Sequence, residues 1–329
     1  MKDVYFFTDI TKLKEAVEAC GIQDFVEKEV LVKLHMGEPG NKYFPQPSFV
    51  KKIIEQLQQI KASPFLYDTT VCYNSPRNDK DKYLEVAEKH GFSQETMDCD
   101  IIIDGTGMDV TMDDVSFTIG SRLYECDHIF AISHVKGHNG TGMGGAIKNF
   151  GMGGVTKETK KWIHTQAKPM YHTEKCTFCG RCAEVCPFKA ITIDNDEWVY
   201  NTRRCFGCDA CVQNCPTNAL EHQSGHSLQY LIASAAKASL KYKKVIYLNE
   251  LKRISQNCDC DPLAGPIICP DIGYLVSTDP VAIDAASLDL IYGKKPDIFK
   301  KETNIDPIDM VKYGEEIRLG TSSYRLVEL

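Results

Sequence analysis

Long hydrophobic runs are missing from this 329-residue chain: nothing approaches the roughly 18 consecutive apolar residues that a membrane-spanning helix needs. A basic excess is missing too. Lys and Arg total 38 against 45 Asp and Glu, a formal net charge of -7, and no basic stripe offsets it, so no nucleic-acid partner is expected. The amino terminus, Met1-Lys2-Asp3-Val4-Tyr5-Phe6-Phe7, contains an acid and runs into an amphipathic segment, which is not the pattern of a secretory signal. No G-x-G-x-x-G follows the first strand pattern, and neither a Walker A sequence nor H-E-x-x-H occurs. Asp104-Gly105-Thr106-Gly107 lacks the third glycine and a clear helix behind it, and reads as a turn. No nicotinamide, flavin or zincin-type site is visible.

Cysteine is abundant. Eight of the 15 cysteines fall in two copies of C-x2-C-x2-C-x3-C-P, one running from Cys176 to Pro187 and the other from Cys205 to Pro216. This is the bacterial signature for cubane iron–sulfur clusters, in which the fourth cysteine of each run reaches the other cluster. The spacing predicts two 4Fe–4S clusters, one on Cys176, Cys179, Cys182 and Cys215, the other on Cys205, Cys208, Cys211 and Cys186. Each proline redirects the chain after its run. A matching apolar tail, Lys189-Ala190-Ile191 against Asn218-Ala219-Leu220, makes the segment an internal repeat. A disulfide framework does not suit a long chain without a secretory signal. Zinc ribbons pair C-x2-C knuckles, without a third cysteine two residues on and a fourth before proline. Oxygen-sensitive clusters and seven further thiols point to the reducing cytoplasm of an anaerobe.

Outside the runs, strand patterns at 4–7, 30–34, 65–67, 101–103, 129–132 and 245–248 alternate with helical periodicity at 12–20, 48–60, 80–90, 227–241 and 281–291. Gly21 and Gly91 sit where helices end. The alternation predicts an α/β fold, a layered domain with a mostly parallel sheet. Because it resumes after 222, residues 1–170 and 222–329 read as one discontinuous domain, interrupted by a ferredoxin-like α+β insert at 171–221.

A second unusual stretch begins where the strand pattern at 129–132 ends. Eight of the 18 residues from Gly137 to Gly154 are glycine, interleaved with His134, Lys136, His138 and Lys148. Ligands of open α/β sheets collect beyond strand carboxyl ends. Free backbone amides and two lysines suit a small carboxylate or phosphate, and the histidines suit proton transfer. The alternative is a flexible surface loop with solvated lysines. Cys258-Asp259-Cys260, with Asp271, Asp279 and Asp284, has the donors for an additional soft metal; the alternatives are buried structural thiols and, at Asp279-Pro280, a helix start. Cys20, Cys72, Cys99, Cys126 and Cys269 read as structural.

Taken together, Val32-Lys33-Leu34-His35-Met36-Gly37-Glu38, Asp68-Thr69 with Tyr73 and Arg77, 134–149, His164 with Lys168-Pro169, 257–260 and 270–273 leading to 279–284 resemble domain-of-unknown-function family 362, the uncharacterised iron–sulfur centre proteins. The resemblance covers nearly the whole chain and implies a ferredoxin set inside an α/β domain; it implies no reaction. The non-ferredoxin part is similar, more distantly, to the amino-terminal domain of lactate-racemase-like proteins, which handle small carboxylates.

The expected function is therefore an iron–sulfur redox protein. Single electrons pass from a soluble donor through two clusters to a small anionic substrate or cofactor. Lys136, Lys148, Arg77 and Lys33 grip the anion, and His134, His138 or His35 move protons. The alternatives are a non-catalytic carrier or adaptor docking a protein partner, and metal-assisted non-redox carboxylate chemistry or cofactor maturation.

Overall fold

The computed structural model describes residues 1–112 and 115–329. Eight strands form its central sheet: β1 (Lys2–Phe7), β2 (Glu29–Lys33), β3 (Ser63–Thr69), β4 (Ile101–Asp104), β5 (His128–His134), β6 (Lys244–Leu251), β7 (Gly273–Ser277) and β8 (Tyr324–Glu328). They lie in the order β8-β1-β7-β6-β5-β2-β3-β4. Every neighbouring pair is parallel except the two made by β7, which runs against β1 and β6. The fold is mixed α/β with a mostly parallel sheet, as the alternation predicts.

The sheet is buried on both faces. Along β5, Ile129 and Ala131 enter one core while Phe130 and Ile132 enter the other, the two-residue alternation of a central strand. Helices α1 (Leu13–Ala19), α2 (Pro47–Gln59) and α3 (Lys80–Lys89) cover the second face. Helices α4 (Ala146–Gly151), α5 (Lys157–Gln166), α6 (Leu228–Ser239), α7 (Pro280–Lys294) and α8 (Ile308–Glu316) cover the first. Phe49, Val50, Ile53, Ile54 and Leu57 recur at helical spacing on α2 and are its buried face. Their transfer from water contributes on the order of 10 kcal/mol, against the entropy of ordering the helix. A charge at Val50 would break that face.

Local signals held at the helix ends. Gly21 and Gly91 both take positive φ. Asp279 caps α7, accepting from the amides of Val281 and Ala282 at 2.9 Å. Two sheet strands went unread, because β8 is a half-exposed edge and β7 follows an irregular stretch.

Strand order fixes where a ligand can sit. From β2 the chain moves outward to β3 and β4, then returns to place β5 on the opposite flank of β2. The carboxyl ends of β2 and β5 thus part at a topological switch point, where open α/β sheets leave a crevice.

Residues 169–222 lie outside the sheet. Pro169–Tyr171 pairs antiparallel with Leu220–His222, closing the segment at its base, and Ile191–Asp194 forms a hairpin with Glu197–Tyr200. One-turn helices occupy Arg181–Glu184 and Ala210–Gln213. The repeat is written in the backbone as well as in the cysteines. Left-handed conformations recur 29 residues apart, at Phe178 and Gly207, Gly180 and Asp209, and Lys189 and Asn218.

Candidate functional site

A cavity of about 890 Å³ occupies the crevice beyond β2, β3 and β5. Lys33 reaches it from the end of β2, Asp68 from β3, His134 from β5, and Lys148 with Asn149 from α4. Most of its charge is already paired. Lys33 Nζ lies 2.9 Å from Asp68 Oδ1 and donates to Asn149 Oδ1 at 3.0 Å. Arg77, fully buried, meets Glu38 at 3.1 Å and Asp68 at 3.4 Å, while the Tyr83 hydroxyl donates to Asp68 at 2.5 Å. Burial alone would raise Asp68, but Lys33 and Arg77 outweigh it and hold the carboxyl well below its ordinary value. Lys33 and Arg77 therefore line the cavity with their charge committed to carboxylates, unlike the free anion grips expected of them.

A second buried network sits at the end of β5. His134 Nδ1 faces Asp259 Oδ1 at 2.8 Å, and Nε2 donates to the Lys252 carbonyl at 2.9 Å. Lys136 Nζ lies 3.0 Å from Asp259 Oδ2 and donates to the His134 carbonyl at 2.7 Å. Of the four residues singled out in the glycine-rich stretch, these two hold Asp259 in place. The other two face the open cavity. Among the described residues, the one side-chain hydrogen-bond partner of Lys148 Nζ is Cys258 Sγ at 3.7 Å. His138 is kept neutral, its pKa pushed well below the ordinary value by burial and then by Lys148.

The glycine-rich amides behave differently from the expectation. Ala146 and Ile147, at the start of α4, donate to the Asp284 carboxylate at 2.7 and 2.9 Å, so a side chain of α7 already takes the place expected for an anion. Gly145 is required there, since a Cβ would collide with that carboxylate. Asp284, pushed up to about 6 by burial, also accepts from Asn249. Asp279 caps α7 and Asp271 accepts the Arg253 amide at 2.7 Å, so these three acids stay apart from the C-x-C pair. His138 joins that pair instead: one ligand atom each from His138, Cys258 and Cys260 lies within 4.8 Å of the others.

Three cavity residues escaped the sequence reading. Lys160, on α5, had no reading from the sequence; it is buried and donates to Thr69 Oγ1 at 2.7 Å and to the Thr70 carbonyl at 2.6 Å. Burial brings its pKa down to about 7. Cys72, read as structural, lines the same cavity. His164, quoted only as part of the resemblance, donates from Nδ1 to the Gly207 carbonyl at 3.1 Å, and burial takes it down to about 4.

The eight repeat cysteines come together in two sets. Cys176, Cys179, Cys182 and Cys215 line one pocket of about 330 Å³ under Tyr171 and Trp198. Cys211 feels Cys208, Cys205 and Cys186: burial first, then these thiols and Asp209, raise it, and burial chiefly pushes Cys208 up to about 12. The fourth cysteine of each run has crossed to the other set. Backbone amides turn onto the sulfurs in repeat, Ala190 to Cys186 and Ala219 to Cys215, both at 3.3 Å, and Phe178 to Cys176 at 3.4 Å. Four converging thiols with amides aimed at sulfur fit a cubane cluster in each set. Cys179 is exposed, whereas Cys208 and Cys211 are buried. Cys208 also lines a second cavity that shares His138, His164, Phe206, Cys258 and Cys260 with the first.

Among the described residues no helix is long and apolar enough to cross a membrane. A family model described as domain of unknown function (DUF362) matches residues 30–289. No curated protein matches the sequence. Among solved structures, the lactate racemase apoprotein from Thermoanaerobacterium thermosaccharolyticum is similar at 11% identity and a TM-score of 0.36, over 76% of this chain and 50% of that one. A protein from Thermotoga maritima is similar at 12% identity and a TM-score of 0.43, over 90% of this chain and 58% of that one. The chain thus spans only half to three-fifths of the length of these structures.

Proposed function

The chain belongs to the DUF362 family, and from that premise we propose that it is an iron–sulfur redox protein acting on a small anionic substrate. Residues 171–221 are then a ferredoxin-like insert in the discontinuous α/β domain of 1–170 and 222–329. Cys176, Cys179, Cys182 and Cys215 would hold one 4Fe–4S cluster, and Cys186, Cys205, Cys208 and Cys211 the other. Bound there, the clusters supply single electrons.

One observation carries the reading. Cys208 belongs to the second thiol set and also walls the cavity complex that contains His138, His164 and Lys148. A plain carrier has no use for a cavity with Lys148 and two histidines against its thiols. The exposure of Cys179 supports approach of a soluble donor protein to the first set, and Cys208, buried in the second set, lines the cavity. Lys148, without a carboxylate partner among the described residues, is the cation left to take a carboxylate or phosphate oxygen. His164, held neutral by burial, is the residue to accept or relay a proton.

The test is anaerobic. Protein with its clusters reduced by dithionite is offered small carboxylates and phosphates while visible absorbance is followed. Recovery of absorbance with one such acid, lost in Lys148→Ala, is the expected result. Recovery only with a second protein makes the chain a carrier, and far fewer than about eight irons per chain removes the reading altogether.

A further inference from the structure

Cys258, Cys260 and His138 form a cluster that the redox reading leaves unused. We infer that these three side chains bind one soft divalent cation of the zinc class, with its open positions facing the cavity beside Lys148. The site is independent of the iron–sulfur reading, because different residues hold the two kinds of metal.

Geometry provides the donor set. One ligand atom from each residue lies within 4.8 Å of the other two, a spread that one ion can bridge. Two thiolates and an imidazole leave a zinc ion a fourth position for water or substrate, the arrangement of a reactive site as opposed to a closed structural one. All three residues line both adjoining cavities, so that fourth position has space in front of it.

Cys258 is surrounded as a thiolate ligand should be. The Cys260 amide donates to its sulfur at 3.4 Å, the same two-residue bond that the Phe178 amide makes to Cys176 in the repeat. Lys148 Nζ adds a positive charge 3.7 Å away.

The supporting residues hold both halves of the site. Asp259, between the two cysteines, is tied by its carboxylate to His134 and Lys136 and by its carbonyl to the Glu38 amide at 3.1 Å. On the imidazole side, Thr141 Oγ1 gives its proton to the Met143 carbonyl at 2.8 Å and therefore meets His138 Nδ1, 3.0 Å away, as an acceptor. That tautomer leaves the lone pair on Nε2, which has no hydrogen-bond partner among the described residues. The Gly140 amide, 3.1 Å from Nδ1, favours the opposite tautomer, and an ion at Nε2 selects between them. Bound there, the ion would act as a Lewis acid on a carbonyl or carboxylate oxygen whose charge Lys148 also feels.

Full-length, anaerobically prepared protein is stripped with a mild chelator, given zinc, desalted, and assayed for zinc and iron separately. About one zinc per chain should remain, with a zinc absorption-edge spectrum showing two sulfurs near about 2.3 Å and nitrogen or oxygen near about 2.0–2.1 Å. Cys260→Ser should lose that zinc while keeping its iron, and His138→Ala should weaken zinc retention roughly tenfold against a competing chelator. Zinc that washes out of the wild type, a shell of nitrogen and oxygen alone, or equal retention by Cys260→Ser would each overturn the inference. Should the serine variant lose its iron as well, the wild-type spectrum decides by itself.

Discussion

His134 Nδ1 stands 2.8 Å from Asp259 Oδ1, both side chains fully buried, and this contact joins the end of β5 to the middle of the C-x-C loop. With Lys136 on the other carboxylate oxygen, Asp259 is the point from which both cysteine side chains hang. Burial raises its pKa, but His134 and Lys136 more than reverse that and hold it far below the ordinary 3.8. A carboxyl depressed in the folded state binds fewer protons there than in the unfolded chain. Its stabilisation is complete above about pH 4 and is lost as the pH falls below that value. Asp259→Asn should cost about 3–5 kcal/mol at pH 7, since two partners are left facing a neutral amide in a dry site. Thermal unfolding followed by circular dichroism measures it; equal midpoints for variant and wild type at pH 7 would show that the contact anchors nothing.

Lys160 predicts a dependence of the same sense in a higher pH window. Its folded pKa of about 7 lies below the ordinary 10.5, so between those values the unfolded chain holds more protons and stability rises with pH. Urea midpoints of the wild type should therefore increase from pH 7 to pH 9.5. Lys160→Met should flatten that rise, and should cost about 1–3 kcal/mol at pH 9.5 because Thr69 Oγ1 and the Thr70 carbonyl lose their donor. An unchanged slope in the variant would mean that Lys160 stays charged in the fold.

Much of this site was legible in advance because its signals are local. Cysteine spacing named two sets, and Cys176, Cys179, Cys182 and Cys215 line one pocket. The strand before His134 located the crevice, since β5 adjoins the switch point. Individual roles were not legible, because they depend on partners far along the chain. Nothing near Lys33 announces its pairing with Asp68 or that Arg77 shares that carboxylate, and nothing near Ala146 announces a carboxylate arriving from 138 residues away on α7. Lys160 was hidden for the same reason: its acceptors, Thr69 Oγ1 and the Thr70 carbonyl, lie 91 and 90 residues earlier in the chain. His138 could have been paired with Cys258 and Cys260 only through the fold, although Gly140 to Gly145 ahead of α4 does spell G-x-G-x-x-G. Asp284 on the first amides of that helix removes the dinucleotide meaning from the motif.

Exchange of the fourth cysteines can be tested by iron content. Cys215→Ser should remove the cluster proposed on Cys176, Cys179 and Cys182, leaving about four irons, and Cys186→Ser should remove the other. The two are told apart by Trp198, which lines the first pocket: its fluorescence, quenched by a neighbouring cluster, should rise in Cys215→Ser and stay low in Cys186→Ser. The reverse pattern would place each fourth cysteine with its own run.

Gly207 and Gly180 share a φ of +78° but not an environment. A Cβ at Gly180 meets open space, whereas one at Gly207 collides with the His164 carbonyl, whose imidazole already donates to the Gly207 carbonyl. Gly180→Ala should therefore cost only the left-handed strain, about 1 kcal/mol. Gly207→Ala adds the collision and should cost about 1–3 kcal/mol more, because backbone on both sides has to move. The residue that moves with it is Cys208, the wall shared by the second thiol set and the cavity. In the reoxidation assay, Gly207→Ala should slow recovery by the small acid severalfold while Gly180→Ala leaves it unchanged, with full iron in both. Equal rates in the two variants would mean that the contact between His164 and the Cys208 loop is packing alone, and that electrons do not leave the second set on this side.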